Sequence, residues 1–385
     1  MKKIYYWCPF ISKVATVKAV INSCKGLMKY NKDFDPVIIN CFGEFDEYED
    51  ELFKNKITVI KLINNNIIKK ISSDGFFFSR IKYILIFILS FRKLSKLIKK
   101  NKPEFFISHL ITSLPLTLFL LNNFKTKLIL RISGLPKLNY LRHLLWKICS
   151  SKINLVTTPT EGTYKNIIKS KVFLYDKVKI LEDPILSFTE VLKKRKEIIT
   201  FKDFEKEKYL LAIGRLTRQK NFSLLINFFK LIHDNEKDFK LVIVGVGEEE
   251  NKLRKMTKKY RLENKVIFVG YKKNVFKYLF NSKLFILTSK WEDPGFVLIE
   301  AGACRAPILS SNCPNGPKEF LNDGRGGYLF LNNNINDLKL KYEKFKNDTF
   351  VEKKNKKITT LKESKKYTIF RHTQKLSAIL KNINI

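Results

Sequence analysis

Short apolar runs alternate along the chain with longer segments in which apolar residues recur every three or four positions. KKIYYW at residues 2–7, DPVIINCF at 35–42 and KITVIKLI at 56–63 have the length and the β-branched or aromatic content of buried strands. VKAVINSCKGLMKY at 17–30 has the spacing of an amphipathic helix. Strands that alternate with helices in this way predict an α/β protein with parallel sheets and helices on both faces.

The alternation is interrupted once, by the charged segment LKKRKEIITFKDFEKEKY, and restarts with YLLAIGRL at residues 209–216. We therefore predict an N-terminal domain over residues 1–191, a linker over 192–207 and a second domain over 208–365. An amphipathic helix over 366–385 is expected to pack back toward the N-terminal domain. Two wound α/β domains that face each other across a cleft bind a ligand at the carboxyl ends of their strands.

The composition favours anionic partners. The chain has 385 residues, with 74 Lys and Arg against 36 Asp and Glu and a formal net charge of +38. Such a charge attracts nucleotides, nucleic acid or an anionic membrane. A general bias toward Lys, Asn, Ile and Phe explains the charge equally well, because the lysines are scattered along the whole chain. Nucleic-acid binding also requires exposed aromatic residues beside the cations, whereas most aromatic residues here lie in the predicted strands and helices.

The most apolar segment is FFFSRIKYILIFILSFRKLSKLIKK at residues 76–100. Its longest uncharged part, 83–91, is far shorter than the ~20 residues that a membrane-spanning helix needs. The segment is therefore either a buried helix with a basic end or an interfacial helix that lies on lipid. The six cysteines form no CxxC pair and only four histidines are present, so we expect neither a metal site nor a bound cofactor.

Cations follow the first strand of the second half. In LAIGRLTRQKNFSLLI the strand ends at Ile213, Arg215 follows, and Lys220 precedes a helix that Asn221 could cap. Two cations in a strand-to-helix loop suit a diphosphate, although both could be ordinary surface charges. In VIFVGY, Tyr271 could lie at a nucleotide base or could be a packing residue. The glycines of VGVGEEE are expected to be turn residues before an acidic helix start.

Two glutamates stand eight positions apart in SKWEDPGFVLIEAGACRAPILSSN, residues 289–312. A Pro-Gly step is costly inside a helix, so the helix should begin near Phe296. Glu292 then lies in the preceding loop and Glu300 about one turn into the helix. The first-turn amide groups would form an anion site, contributed by Gly295, Phe296, Val297 and Leu298. The carboxylates suit sugar hydroxyls; the alternative, that they are surface residues, fits Glu292 better than Glu300.

Residues 208–330 resemble the C-terminal domain of family-4 retaining glycosyltransferases, which have the GT-B fold. GRLTRQKNF, VIVGVGEEENKL, VIFVGY and SKWEDPGFVLIEAGACRAPILSSNCPNGPKEFLNDGRGGYLF occur in the family's order. The resemblance implies that Arg215 and Lys220 hold the donor diphosphate without a metal, that Glu300 binds ribose and that Glu292 contacts the donor sugar. NCPNGPKEFL is similar to enzymes that use UDP-hexoses or UDP-N-acetylhexosamines to build surface polysaccharides.

The N-terminal half resembles the acceptor-binding domain of the same family more weakly. The resemblance places His109 at the end of a strand as a contact for a donor sugar or phosphate, although a single histidine is more often a core residue. Arg131 could contact an acceptor phosphate or brace its loop. The loop CPFISKVATVKA departs from the family's Gly-Gly turn, and Asp183 stands where relatives commonly have asparagine.

The sequence thus predicts a metal-independent retaining glycosyltransferase for bacterial cell-surface polysaccharide. We expect it to transfer a hexose or N-acetylhexosamine from a UDP-sugar to a glycan on a polyprenyl diphosphate. It would lie in the cytoplasm, peripheral to the inner face of the cell membrane. Alternatives are a GT-B sugar-nucleotide epimerase and a non-catalytic binding protein.

Overall fold

The computed structural model describes residues 1–10, 15–63, 76–134, 136, 139–199, 208–236 and 238–383. The chain divides into two compact units. The first comprises Met1–Pro184 together with Ile369–Ile385, and the second comprises Ile185–Thr368. Each unit is built around its own parallel sheet, which confirms the predicted α/β class.

The first unit contains a seven-stranded sheet in the order β3-β2-β1-β4-β5-β6-β7, with every pairing parallel. The strands are Lys2–Trp7, Phe34–Asn40, Thr58–Lys61, Phe105–Ser108, Lys127–Arg131, Ile153–Thr158 and Val178–Ile180, numbered β1 to β7. The first three are the strands predicted from the apolar runs. All four residues of β4 are buried, as expected for a strand covered on both faces.

The helices of the first unit form two layers. Helices α1 to α6 are Ala15–Tyr30, Glu49–Lys54, Phe76–Asn101, Ser113–Leu121, Tyr140–Cys149 and Glu161–Lys169, and the C-terminal helix α15 is Ile369–Asn382. Residues of α3 to α6 share one apolar cluster with alternate residues of the strands. Residues of α1 and α15 share a second cluster with the other strand residues. In the part of the chain that is described, no helix is both long enough and apolar enough to cross a bilayer.

The second unit contains a six-stranded parallel sheet in the order β10-β9-β8-β11-β12-β13. Strands β8 to β13 are Lys208–Ile213, Phe239–Val244, Val266–Gly270, Leu284–Leu287, Ile308–Ser311 and Tyr328–Phe330. Helices α7 to α14 are Phe188–Lys194, Phe222–His233, Glu250–Lys259, Phe276–Asn281, Phe296–Ala303, Pro317–Phe320, Ile335–Asn347 and Phe350–Ser364.

Both sheets reverse their direction of winding at one place. In the first sheet the chain proceeds outward from β1 to β3 and then returns to place β4 on the other side of β1. In the second sheet it proceeds from β8 to β10 and returns to place β11 beside β8. Loops that leave neighbouring strands in opposite directions open a crevice, and ligands of wound α/β sheets bind there.

The division between the units differs from the predicted domain limits. Residue 191 lies inside α7, which belongs to the second unit, and the division falls at Pro184. The predicted linker therefore begins within a helix, and its residues 200–207 lie outside the described part of the chain. The second division falls at Thr368, and the C-terminal helix α15 packs on α1 within the first unit.

A buried chain of hydrogen bonds attaches α15 to the first unit. His372 Nδ1 lies 2.7 Å from the carbonyl oxygen of Glu182, which can only accept, so this nitrogen carries the proton. The neutral ring then accepts at Nε2 from the Ser23 hydroxyl at 2.9 Å. The hydroxyl of Tyr6 in turn donates to Ser23 Oγ at 2.9 Å. Burial disfavours the charged imidazole, and with a neutral His372 each donor of the network is used once.

Acid should therefore destabilise the first unit. The pKa of His372 is lowered to about 3, mainly by burial and to a smaller extent by the positive charges of Arg131 and Lys375, although the hydrogen bond to Glu182 opposes the shift. An unfolded histidine has a pKa near ~6.5, so between pH ~6.5 and ~3 the unfolded chain binds the extra proton. Stability should fall in that window by up to ~1.4 kcal/mol per pH unit from this one group. Urea unfolding at pH 7 and pH 5 measures the loss, which should be smaller in His372→Gln.

His143→Gln on α5 is the control, because His143 lies outside this network and its removal should leave the pH dependence unchanged. An unaltered pH dependence in His372→Gln would contradict the assignment. The pKa of His109 is also held well below its usual range, by burial and by the charge of Arg131, so part of the acid effect remains in that variant.

Candidate functional site

The loops after β8 and β11 meet at the reversal point of the second sheet. Backbone and side-chain hydrogen bonds join them: Lys290 N–H donates to the carbonyl of Gln219 at 2.8 Å, and Gln219 Nε2 donates to the carbonyl of Trp291 at 2.8 Å. Thr288 Oγ1 donates to the carbonyl of Lys220 at 3.0 Å. The loop with the predicted cations and the loop with the first predicted carboxylate therefore form one framework.

Lys220 and Glu292 form an ion pair within this framework. Lys220 Nζ donates to Glu292 Oε1, and the hydroxyl of Ser289 donates to the same oxygen at 2.6 Å. Only 15% of the Lys220 side chain and 6% of the Glu292 side chain are exposed. The alternative of two unrelated surface charges is therefore wrong for this pair. A partly buried cation held by one carboxylate is a site where a more strongly charged anion can compete.

Arg215 lies on a loop that close backbone contacts hold in place. A Cβ atom added to Gly245 would lie 1.9 Å from the carbonyl oxygen of Gly214, so this approach requires glycine. The amide of Leu216 donates to the carbonyl of Val246 at 3.0 Å. The glycines that follow β9 thus pack against the loop after β8. The side chain of Arg215, which follows Gly214 in that loop, is exposed.

Helix α11 begins at Phe296, as the Pro-Gly step predicted. Its N-cap Gly295 has φ 89°, in the left-handed region that favours glycine. Phe296 and Val297 lie in the first turn, where helical geometry leaves amide groups without an intrahelical partner. Glu300 follows one turn later and is 8% exposed. The helix therefore presents its N-terminus on the loop that carries Glu292, with a buried carboxyl group behind it.

Two expectations for neighbouring residues have different outcomes. Asn221 occupies the N-cap position of α8, but its side chain makes no capping bond and instead donates to Asn333 Oδ1 at 3.1 Å, so the predicted side-chain cap is wrong. Tyr271 is 73% exposed, which excludes the packing alternative. It follows the edge strand β10, and β9 separates that strand from β8. Its contact with a nucleotide base stays a prediction.

His109 lies at the reversal point of the first sheet. Its amide donates to the carbonyl of Trp7 at 2.8 Å, and its ring stacks on Tyr6 with centroids 6.0 Å apart. Both ring nitrogens are buried and lack a hydrogen-bond partner among the described residues. The ring thus makes no hydrogen bond to the described protein atoms, and the lowered pKa keeps it neutral. Its contact with a donor sugar or phosphate stays a prediction.

Arg131 braces the first unit. Its Nη2 donates to Asp183 Oδ1 at 2.7 Å and its Nη1 to the carbonyl of Leu181 at 2.6 Å. The side chains of Arg131 and Asp183 are 3% and 7% exposed. A cavity of about 20 Å³, enough for one water molecule, adjoins them and His109. Of the two roles considered for Arg131, the structural one fits this geometry.

The sequence did not identify Ser289 as part of the site. The signal was present, because a serine three positions before a loop carboxylate can reach it with a short hydrogen bond. The site therefore combines a carboxylate with a cation and a hydroxyl, an exposed Arg215 and a helix N-terminus. This set can hold a diphosphate and accept hydrogen bonds from hydroxyl groups.

Comparisons with known proteins agree with this chemistry. Residues 193–364 match the family model described as Glycosyl transferases group 1. An uncharacterized glycosyltransferase of Methanocaldococcus jannaschii is 30% identical over 247 residues, which cover 60% of this chain and 60% of that protein. A second relative is the Campylobacter jejuni N-acetylgalactosamine-N,N'-diacetylbacillosaminyl-diphospho-undecaprenol 4-alpha-N-acetylgalactosaminyltransferase. It is 28% identical over 222 residues, which cover 56% of this chain and 59% of that protein. The chain thus spans about 60% of the length of both relatives.

Solved structures support the fold over the whole chain. The Anabaena protein HepE, crystallised in complex with UDP, superposes with a TM-score of 0.76 at 14% identity and covers 99% of this chain and 100% of its own. At this identity the likeness establishes the fold. The predicted GT-B class, with two Rossmann-like domains, is therefore confirmed.

Proposed function

We propose that this chain, whose residues 193–364 match the family model described as Glycosyl transferases group 1, is a metal-independent retaining glycosyltransferase that uses a UDP-sugar. The observation that supports the proposal most is the largely buried Lys220–Glu292 pair, whose two loops also carry Arg215 and lead into the N-terminus of α11. These groups stand at the reversal point of the sheet in the matched domain, where wound α/β proteins bind their ligands.

The proposed mechanism stabilises the leaving group. Arg215, Lys220 and the amides of Phe296 and Val297 take up the negative charge that develops on the diphosphate as its bond to the anomeric carbon breaks. The acceptor oxygen forms its new bond on the same face of the sugar, and its proton passes to the departing phosphate oxygen. Because these groups neutralise the diphosphate, the reaction is proposed to need no metal.

The proposed roles of the two carboxylates follow from their positions. Glu300, one turn into α11, would accept hydrogen bonds from the ribose hydroxyls. Glu292, in the preceding loop, would accept hydrogen bonds from hydroxyl groups of the donor sugar once the diphosphate has replaced it as the partner of Lys220. Ser289 donates to Oε1 of Glu292, and Oε2 would remain to accept from the sugar.

The proposed acceptor is a glycan on a polyprenyl diphosphate, in the assembly of a cell-surface polysaccharide. The name of the Campylobacter relative includes a diphospho-undecaprenol acceptor, which supports this choice of substrate class. The proposal includes peripheral attachment to the inner face of the cell membrane, where such an acceptor is found.

Thermal unfolding with a panel of UDP- and GDP-sugars in the presence of EDTA tests the function. One UDP-sugar should stabilise the protein, by ~2.7 kcal/mol at a concentration 100 times its dissociation constant. Slow release of free sugar, with the anomeric configuration of the product followed by NMR, should accompany binding. Conversion of one UDP-sugar into another without an acceptor would favour the epimerase alternative. If no nucleotide sugar stabilises the protein, the proposal fails.

A further inference from the structure

Helix α5 exposes apolar side chains on the side where a helix of a globular domain normally carries polar ones. Successive residues are ~100° apart around a helix, so one arc of about 100° contains four large apolar residues. Their exposed fractions are 79%, 73%, 41% and 51% for Tyr140, Leu141, Leu144 and Ile148. Trp146 and Cys149, on the inner side, are buried against the sheet. The outward apolar stripe therefore adds nothing to the core of the first unit.

Helix α3 continues this pattern. Ile84 and Ile88, one turn apart, are 59% and 63% exposed. The same side of the helix then presents exposed cations at four-residue intervals, Arg92 and Lys96, followed by Lys99. Helix α4 contacts both α3 and α5, so the three helices form one layer on the same face of the sheet.

The region is almost free of negative charge. Between Asp74 and Glu161 the only acidic residue is Glu104, although the whole chain contains 36. Helix α5 itself carries the exposed cation Lys147 beside its apolar stripe. We name this surface the basic apolar face, and it consists of Ile84, Ile88, Arg92, Lys96, Lys99, Tyr140, Leu141, Leu144, Lys147 and Ile148.

We infer that the basic apolar face docks the protein on an anionic lipid bilayer. The apolar side chains enter the boundary between head groups and acyl chains, and the cations bind the anionic head groups. A second copy of the chain fits less well, because a two-fold contact would place the same cations against one another. The inference rests on the proposed function in one respect: docking would bring the protein to its lipid-linked acceptor. Lipid binding itself is measurable without any sugar.

Vesicle co-sedimentation of the full chain tests the inference. Vesicles of phosphatidylcholine with about one third phosphatidylglycerol should bind the protein at least ~10-fold more strongly than phosphatidylcholine alone, and high salt should weaken the binding. The double variant Leu141→Glu/Ile148→Glu should lose at least ~10-fold in partitioning. Arg92→Gln/Lys96→Gln should lose ~5-fold for each cation removed.

The matched control is Phe350→Glu/Val351→Glu on α14 of the second unit. These side chains are 80% and 62% exposed, so the control makes the same chemical change at a similar exposure outside the basic apolar face. Its vesicle binding should equal that of the wild type. Circular dichroism and stabilisation by UDP-sugar verify that each variant is folded.

Two results with vesicles would overturn the inference: no preference for anionic vesicles, or an equal loss of vesicle binding in the control variant. A third would be a wild-type protein that does not bind vesicles but forms a concentration-dependent dimer, if Leu141→Glu/Ile148→Glu dissociates that dimer. Failure here is distinguishable from failure of the proposed function. If the protein does not bind vesicles but binds a UDP-sugar and glycosylates a detergent-dispersed acceptor, the docking surface is contradicted and the proposed function is not.

Discussion

Replacing Glu292 by glutamine should tighten the binding of UDP by about 5- to 30-fold, while sugar transfer is largely lost. The carboxylate of Glu292 neutralises Lys220, so an incoming diphosphate must compete with it. A charge-assisted hydrogen bond contributes ~1.5–3 kcal/mol, and the neutral amide removes most of this competition. Lys220→Ala should act in the opposite direction, with a 10- to 100-fold loss of UDP affinity by the same reasoning. Isothermal titration with UDP measures both changes.

Glu250→Gln is the matched control for the first variant, since Glu250 forms an ion pair with Arg254 on the surface of α9 in the same unit. UDP affinity should not change in it. If Glu292→Gln weakens UDP binding as much as Lys220→Ala does, the carboxylate supports the nucleotide directly and the competition described above does not exist.

Removal of the carboxylate of Asp183 should destabilise the first unit by ~3–5 kcal/mol, because it leaves the Arg131 guanidinium buried without its counter-charge. Asp183→Asn keeps a hydrogen-bond acceptor and should cost less than Asp183→Ala. Urea unfolding followed by the fluorescence of Trp7 and Trp146, which both lie in the first unit, measures the change in a Trp291→Phe background.

The comparison for this experiment is Glu161→Ala. Glu161 pairs with Lys165 across one helical turn at 3.5 Å, with both side chains largely exposed, and its loss should cost under ~0.5 kcal/mol. A similar small effect at Asp183 would mean that water enters beside Arg131 and replaces the carboxylate.

The local features of the site could be predicted from sequence because they depend on neighbours along the chain. A Pro-Gly step fixed the start of α11 at Phe296, and the apolar runs located the strands that end at the site. These rules concern the backbone preferences of a few adjacent residues. They place each loop at the carboxyl end of a strand but leave the partners of its side chains undetermined.

The partners depend on contacts between distant segments. Lys220 and Glu292 are 72 residues apart, and only the return of the chain from β10 to β11 brings their loops together. The brace at Arg131 spans 52 residues to Asp183. For the same reason the sequence suggested a role for each cation and each carboxylate, but not that Lys220 and Glu292 bind one another.

The position of α15 determines when the first unit can be completed during synthesis. Ser23 and His372 are 349 residues apart. At about 5–20 residues per second, the ribosome adds His372 roughly 17–70 s after Ser23. Until then Val17, Val20 and the other apolar residues of α1 that share a cluster with Leu376 and Leu380 have no helix to cover them. The nascent chain must therefore hold an open hydrophobic groove while the entire second unit is being made, and a chaperone that shields α1 would act in that interval.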